Sequence, residues 1–531
     1  MQFNSNSDFP GNSIHTLQWA QIARPPIQFE TADFIPCAYI TTRVIIKCDD
    51  TLANQGINSG DAQHVEVGGL NYIVKTAKGV LVRTATTNNN GQTIQGGDAV
   101  GGGWSDSSSS DSDMEDGDKA GQSSAQNNNG IGFIPQAPRS NTSHENNIER
   151  AYWLRRTLRT AIYGQVRYGI VLHRLSPPVQ VVLPNTNELV SIEWEETNTS
   201  VAIKEMNWDH IHSQRDRLAE DPIKEVAAMQ YLRRWLLNEQ EKQNALQLMQ
   251  QLQLSMAASG GNIDMNAQLA EMNATAQQPF VNNNSQWIGQ QQQQQEVGGV
   301  HIPQAAASVI HQTPQNMLES HIMMPMDLLS DNRNLYSIMP YCAGGELFEV
   351  LEKKNRFTEP EARYWMRQIL KGLSCLKKAG VAHRDLSLEN LLVHEGNVLV
   401  IDMGMCLRVP FVDQNMNQRY LILPQGVCGK WHYMSPEVCK NQLPFDGPAV
   451  DLWAVGVILF LMLTGFPPWE RPTLTDERFR YMSNGYLVQM LTEWQLGLSA
   501  DAMDLLQRMF WLDPTDRLSL EQVCAHPWMN Q

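Results

Sequence analysis

One stretch constrains this chain more than any other: His383-Arg384-Asp385-Leu386-Ser387-Leu388-Glu389-Asn390, followed by Asp402-Met403-Gly404. It sets a carboxylate, Asp385, close to an amide, Asn390, and then places a second carboxylate, Asp402, on a Gly turn. Phosphoryl transfer needs such a set, one carboxylate for the hydroxyl proton and an amide and a carboxylate for a divalent cation. A fold that uses it must also bring a cation for the phosphates to the same cleft, so the segments upstream become the test.

Those segments are present, in order. Gly164-Gln165-Val166-Arg167-Tyr168-Gly169-Ile170-Val171 reads either as a Gly-rich phosphate loop or as a plain β-turn. A valine at its middle position would reduce the freedom of backbone N–H groups to approach phosphates. Val201-Ala202-Ile203-Lys204 reads as a buried strand ending in a lysine. Glu225 follows inside a helical pattern with Met229 and Leu232 on one face. Leu335 to Leu347 supplies a strand, Met339-Pro340-Tyr341-Cys342, and then Gly344-Gly345-Glu346.

Taken together, these segments resemble the eukaryotic protein kinase family, Ser/Thr type. The first run matches H-R-D-L-x-x-x-N, Asp402-Met403-Gly404 is close to D-F-G, and Val201 to Lys204 is V-A-I-K. Ser435-Pro436-Glu437 is a variant of A-P-E, with Arg517 standing where the family's late Arg pairs with that Glu. Asp451-Leu452-Trp453-Ala454-Val455-Gly456 is similar to the helix that anchors the catalytic loop, and His526-Pro527-Trp528 resembles the calmodulin-dependent kinase group. The resemblance implies an α+β, two-lobed protein kinase fold, with a small β-rich N-lobe and a large helical C-lobe, over residues 148–531.

It also implies roles. Asp385 would take the hydroxyl proton beside Arg384, Asn390 and Asp402 would hold Mg, and Lys204 would clamp the phosphates of ATP through its pair with Glu225. Nucleotide contacts fall to Gly164, Gly169, Val171, Ala202, Lys204, Met339, Pro340, Cys342, Glu346 and Leu392, with Met339 as gatekeeper and Glu346 at the ribose. Protein substrates with Ser/Thr acceptors follow, with Glu389 and Glu346 placed to favour Arg upstream of the target. The rival reading is a nucleotide-binding scaffold, a pseudokinase that uses its polar segments to bind partners.

Composition bounds the rest. Only 18% of the 531 residues are charged and the net charge is -16, which disfavours nucleic acid and anionic membranes as partners. The eight cysteines form no C-x-x-C pair, which suits reduced thiols in a cytoplasmic or nuclear setting. No signal peptide opens the sequence, and the longest apolar run, Val455 to Phe466, fits a buried helix better than a membrane span.

Along the chain, residues 1–33 read as a loose terminus. Residues 34–87, rich in β formers, read as a small β unit or as padding for the N-lobe. Residues 88–147 form an Asn/Gly/acidic-Ser linker expected to be disordered. Its serines from Ser107 onward either resemble targets of an acid-directed kinase or belong to a solvated tract. A Gln/Asn-rich insertion, 238–318, follows the helix of Glu225 and contains six consecutive glutamines, Gln290 to Gln295. Leu246, Met249, Gln253 and Met256 keep a helical spacing, so that helix is expected to run outward first. The linker and the insertion are the places where partner proteins would bind.

Two departures from the family pattern belong together. Ser/Thr kinases carry a Lys two residues after the catalytic Asp and a Thr after the Gly of the later loop. Here Ser387 occupies the first position and Lys430 the second, so the cation and the hydroxyl look exchanged. Lys430 is expected to reach the γ-phosphate with Ser387 as its neighbour. Between Met403 and Met434 there is neither Ser nor Thr, which leaves Tyr420 and Tyr433 as the only acceptors of a phosphate. An intrinsically active, unphosphorylated loop is expected.

Overall fold

The computed structural model describes residues 23–29, 44–47, 62–67, 70–75, 80–83, 150–182, 187, 189–214, 217–259, 313–330, 333–413 and 418–531. Two compact units emerge, Met1–Gln230 with His321–Gln531, and Tyr231–Ser320. The acidic-Ser linker and the glutamine run lie outside the described residues.

In the first unit the chain begins with a short strand, β1 (Ala23–Arg24). Strands β2 (Val44–Lys47), β3 (Ala62–Val67), β4 (Leu70–Lys75) and β5 (Val80–Arg83) precede three long ones, β6 (Arg150–Ala161), β7 (Gly164–Val182) and β8 (Leu189–Asn207). β6, β7 and β8 form an antiparallel meander. β9 (Asp327–Ser330) and β10 (Asn334–Pro340) complete it, with β10 antiparallel to β8. The segment 34–87 contributes to this same sheet: β2 runs parallel to β6, and β5 runs parallel to β8. Alternation packs one face with Ala151, Trp153, Leu172 and Trp194, all buried.

Helix α1 (Trp208–Gln214) is followed by α2 (Pro222–Ser259). Asp221 starts α2: its carboxylate accepts from the Ile223 N–H at 2.9 Å, and Pro222 brings a helix-compatible φ without an N–H to satisfy. α2 runs to Ser259, so the helix of Glu225 continues outward into the insertion, in line with the helical spacing of Leu246, Met249, Gln253 and Met256. The second unit, Tyr231–Ser320, holds the remainder of α2 and α3 (Thr313–Ser320).

The rest of the first unit is mostly helical: α4 (Leu347–Lys354), α5 (Glu359–Ala379), α6 (Pro436–Lys440), α7 (Gly447–Thr464) and shorter helices to the C-terminus. Thr358 and Glu361 cap α5 reciprocally, and Gly380 ends it at a φ of 73°. α7 is apolar and long enough to cross a membrane, yet it is the buried core helix of this unit. Trp453 on it meets Trp469 at 5.4 Å and Phe510 at 5.2 Å between ring centroids. These tilted and edge-on contacts are the arrangement aromatic rings favour.

The structure corrects one expectation about the terminus. Within the residues 1–33 read as loose, Ala23–Arg24 pairs parallel with Leu421–Ile422, and Ile27 bridges to Arg408. A two-residue strand carries no periodicity of its own, so its pairing was not legible locally.

Arg517 donates to both carboxylate oxygens of Glu437, at 2.7 and 2.9 Å, with both side chains largely buried. Its guanidinium also lies 4.4 Å from the Trp453 ring centre. Removing it strands a buried carboxylate. Arg517→Ala is therefore expected to cost about 3–5 kcal/mol of stability, measured by denaturant unfolding; a loss below about 1 kcal/mol would contradict this role for the pair.

Candidate active site

The site forms where the β8 strand faces the loops that follow α5. Lys204 on β8 donates to Glu225 of α2 at 2.6 Å, both buried. Burial opposes the charge on Lys204, but Glu225, Asp402 and Glu220 outweigh it and hold its pKa above the ordinary lysine value. Met339 pairs with Ala202, and Ser337 with Lys204, so Ala202, Lys204 and Met339 share one sheet face. In the segment that follows, the Cys342 N–H has no partner among the described residues, which leaves it for an incoming acceptor. Leu392 bridges to Glu346 beneath.

The loop from His383 to Asn390 is fixed from below. The buried Asp451 carboxylate accepts from the backbone N–H groups of His383 and Arg384, both at 2.7 Å. Arg384 and Asp402 both sit at positive φ, 67° and 65°, a costly conformation for residues with a Cβ. Asn390 donates through its Nδ2 to the Asp385 carbonyl at 2.8 Å and carboxylate at 3.0 Å. That leaves the Asn390 amide oxygen for a cation. Burial raises the Asp385 pKa to about 6, against the pull of Lys430. At Asp402 burial is outweighed by Lys204 and by the Gly404 N–H at 3.1 Å, so its pKa is lowered and it stays ionised.

Asn390 and Asp402 thus present hard oxygen donors to one cleft, a fit for a divalent cation. Sequence reasoning missed Glu220. Its carboxylate lies 3.8 Å from Lys204 Nζ, and its oxygens come within 4.8 Å of those of Glu225 and Asp402. A lone acid before Asp221-Pro222 gave no signal.

The phosphate loop needs correcting. The β6–β7 hairpin pairs Ala161 with Gly164, which puts its tip at Ile162-Tyr163. Laid on that hairpin, G-x-G-x-x-G-x-V falls on Arg159, Ala161, Gly164 and Val166. Val166 pairs with Lys204, so it lies on the nucleotide-facing side. Gly169 pairs with Val201 and therefore faces the other way, as does Val171. A Cβ on Gly169 would approach Ile203 Cδ1 at 2.6 Å, so that glycine serves sheet packing. Arg159, at the position of the first Gly, bridges to Glu346 at 2.9 Å. Tyr163 at the tip donates to the Glu220 carbonyl at 2.7 Å.

Lys430 and Ser387 meet. Lys430 Nζ donates to Ser387 Oγ at 2.9 Å and pairs with Glu389 at 3.2 Å. Gly429, at a φ of 90°, allows the approach: a Cβ there would stand 3.1 Å from the Arg384 carbonyl oxygen and 3.4 Å from Asp385. Glu389 and Glu346, expected to read an Arg of the substrate, are thus each paired within the chain. Tyr433 is buried against Glu389 and Leu388, which makes packing its role.

Residues 306–529 match the family model for the protein kinase domain. The strands that carry Lys204 precede the match, and the structure joins them to it through β8 and β10. The chain is 35% identical over 233 residues to the serine/threonine-protein kinase grp of Drosophila melanogaster, covering 43% of each protein. It is 32% identical over 212 residues to the serine/threonine-protein kinase SIK3 homolog of Danio rerio, covering 40% of this chain and 16% of that one. With the probable serine/threonine-protein kinase fhkD of Dictyostelium discoideum it shares 29% over 231 residues, covering 41% and 30%. The chain thus spans less than half the length of these relatives. Geometry and similarity agree on the domain: residues 306–529 match a protein kinase domain, and the proteins to which this part of the chain is similar are named as Ser/Thr protein kinases.

Proposed function

We propose that the protein transfers the γ-phosphoryl group of ATP to Ser/Thr hydroxyls of protein substrates. The observation that carries this reading is the convergence of Asp385, Asn390, Asp402 and the Lys204–Glu225 pair on one cleft. Asp385 orients the acceptor hydroxyl and takes its proton. Lys204 neutralises the phosphates, and Ala202, Val166, Met339 and Leu392 enclose the adenine, whose ring accepts from the Cys342 N–H. Asn390 and Asp402 would hold Mg, which supplies charge neutralisation across the phosphates. The six described cysteines are all free thiols, in keeping with a cytoplasmic or nuclear enzyme.

Lys430 supplies the cation beside Asp385 that the family usually places at the position of Ser387. The contact between the two side chains supports this reading, because either end of it lies next to the transferred group. A cation there stabilises charge that develops in the transition state.

Three outcomes follow. Labelled phosphate from ATP should reach a generic basic protein with the wild type and fall by about 10³-fold or more with Asp385→Asn; equal labelling by both would mean a scaffold. Lys430→Ala should lower kcat by about 10²-fold with a small change in the KM for ATP, and a loss under about threefold would remove Lys430 from the reaction. Asp385 accepts a proton only when ionised, so kcat/KM should decline as the pH falls through about 6. A profile flat down to pH of about 4.5 would place the ionising group elsewhere.

A further inference from the structure

The segment from Met403 to Met434 contains no Ser or Thr, yet its described residues hold a definite path beside Asp385. Arg384, the cation that a loop phosphate neutralises in many kinases, has other partners here. Its Nη2 donates to the Gly426 carbonyl at 3.2 Å, and its guanidinium lies 5.6 Å from the Phe445 ring centre. Phe445 in turn exchanges two backbone hydrogen bonds with Ile422, at 2.8 and 2.9 Å. The returning limb of the loop is thereby tied to the body of the domain on its inner side.

Its outer side is tied by the N-terminal segment. Ala23 and Arg24 run parallel to Leu421 and Ile422, and the Leu423 N–H donates to the Arg24 carbonyl at 3.1 Å. Arg24 also lies over the Tyr420 ring, 4.9 Å from its centre. A few residues on, the Ile27 N–H donates to the Arg408 carbonyl at 3.0 Å, and Arg408 reaches back to the Gln28 carbonyl at 3.4 Å. Arg408 ends a short strand, Leu407–Arg408, on the outgoing limb of the same loop. One short segment therefore binds both limbs. Pro25 and Pro26 stand between its two points of attachment. Proline fixes φ in an extended form and has no N–H to satisfy, so little backbone freedom remains to be lost on docking. Ala23 is only 6% exposed, and a larger or charged side chain there would meet the loop.

We propose that Ala23–Phe29 is a clasp acting in cis, an extended segment that adds to the edge of the activation loop at Leu421–Leu423 and at Arg408 and holds it open to substrate in place of a phosphate. The surface it occupies is the backbone edge of Leu421–Leu423, and backbone pairing is the recognition mode. The role assigned to the clasp rests on the kinase reading given above; the clasp itself does not.

The test uses the full chain with Ile27→Pro, which removes the N–H given to Arg408, and separately with Ala23→Glu, which puts a charge in the buried position. Amide hydrogen exchange at Leu423 reports the clasp directly, exchange at Val457 in α7 reports global folding, and steady-state kinetics report the loop. Both variants should expose the Leu423 amide by about tenfold or more with Val457 unchanged, and kcat should fall by about tenfold with the KM for ATP within about twofold. Ile27→Val should behave as the wild type, and a synthetic peptide of residues 20–32 in excess should restore kcat to Ala23→Glu. Unchanged exchange at Leu423 in both variants would overturn the proposal, as would a loss of kcat with Leu423 still protected. If the wild type transfers no phosphate while Leu423 exchange still depends on Ile27 and Ala23, the kinase reading fails and the clasp stands.

Discussion

The Asp451 carboxylate is the constraint on which the rest of the site depends. It sits in the apolar helix α7 and accepts two backbone N–H groups from the loop that carries Asp385. Burial alone would penalise its charge, and raises its pKa to about 6, so the bonds from His383 and Arg384 are what keep the ionised form useful. Those two bonds hold Arg384 in a left-handed conformation that an unsupported residue would leave. The turn that results points Asp385 into the cleft and lets Asn390 bond it twice.

Charge explains the cleft's need for partners. Glu220, Glu225, Asp385, Asp402, Glu346 and Glu389 surround it, against Lys204, Lys430 and Arg159. Such an excess of carboxylates favours cations, and it repels a bare polyphosphate unless a divalent ion comes with it. Lys204 is held between Glu220 and Glu225, while the partly exposed Lys430 pairs with Glu389. Glu220 competes for the same lysine that the phosphates would approach, and its pKa is raised by burial and by Asp402. Arg159 closes onto Glu346 from the hairpin above, where the family pattern has a glycine.

The legible parts of the site were those in which chemistry and spacing coincide within a few residues. Asp385 and Asn390 lie in one loop, and Lys204 lies on a strand whose alternation shows which side chains share its face. Glu225 could be placed by helical spacing once the resemblance called for a helix Glu, and Met339 by its resemblance to the strand and hinge that join the two kinase lobes. The phosphate loop was misread because two of its three glycine positions hold Arg159 and Ala161, while Gly169 further along offered a false match. Only the hairpin register, fixed by Ala161 facing Gly164, settles which residues form the tip. The N-terminal strand could not be read at all. Its pairing partner lies almost four hundred residues away, and Ala-Arg-Pro-Pro-Ile has no pattern until Leu421 and Arg408 stand beside it.

The contact between Lys430 and Ser387 is a departure from the kinase sequence pattern. A cation and a hydroxyl meet beside Asp385, with the two residue types on opposite sides of the contact. If the site needs the charge and not its point of attachment, the exchange can be reversed. The direct measurement is the kcat of Lys430→Thr alone and of Lys430→Thr combined with Ser387→Lys. The account predicts a loss of about 10²-fold for the single variant and recovery to within about tenfold of wild type for the double. A double variant as inactive as the single one would contradict it.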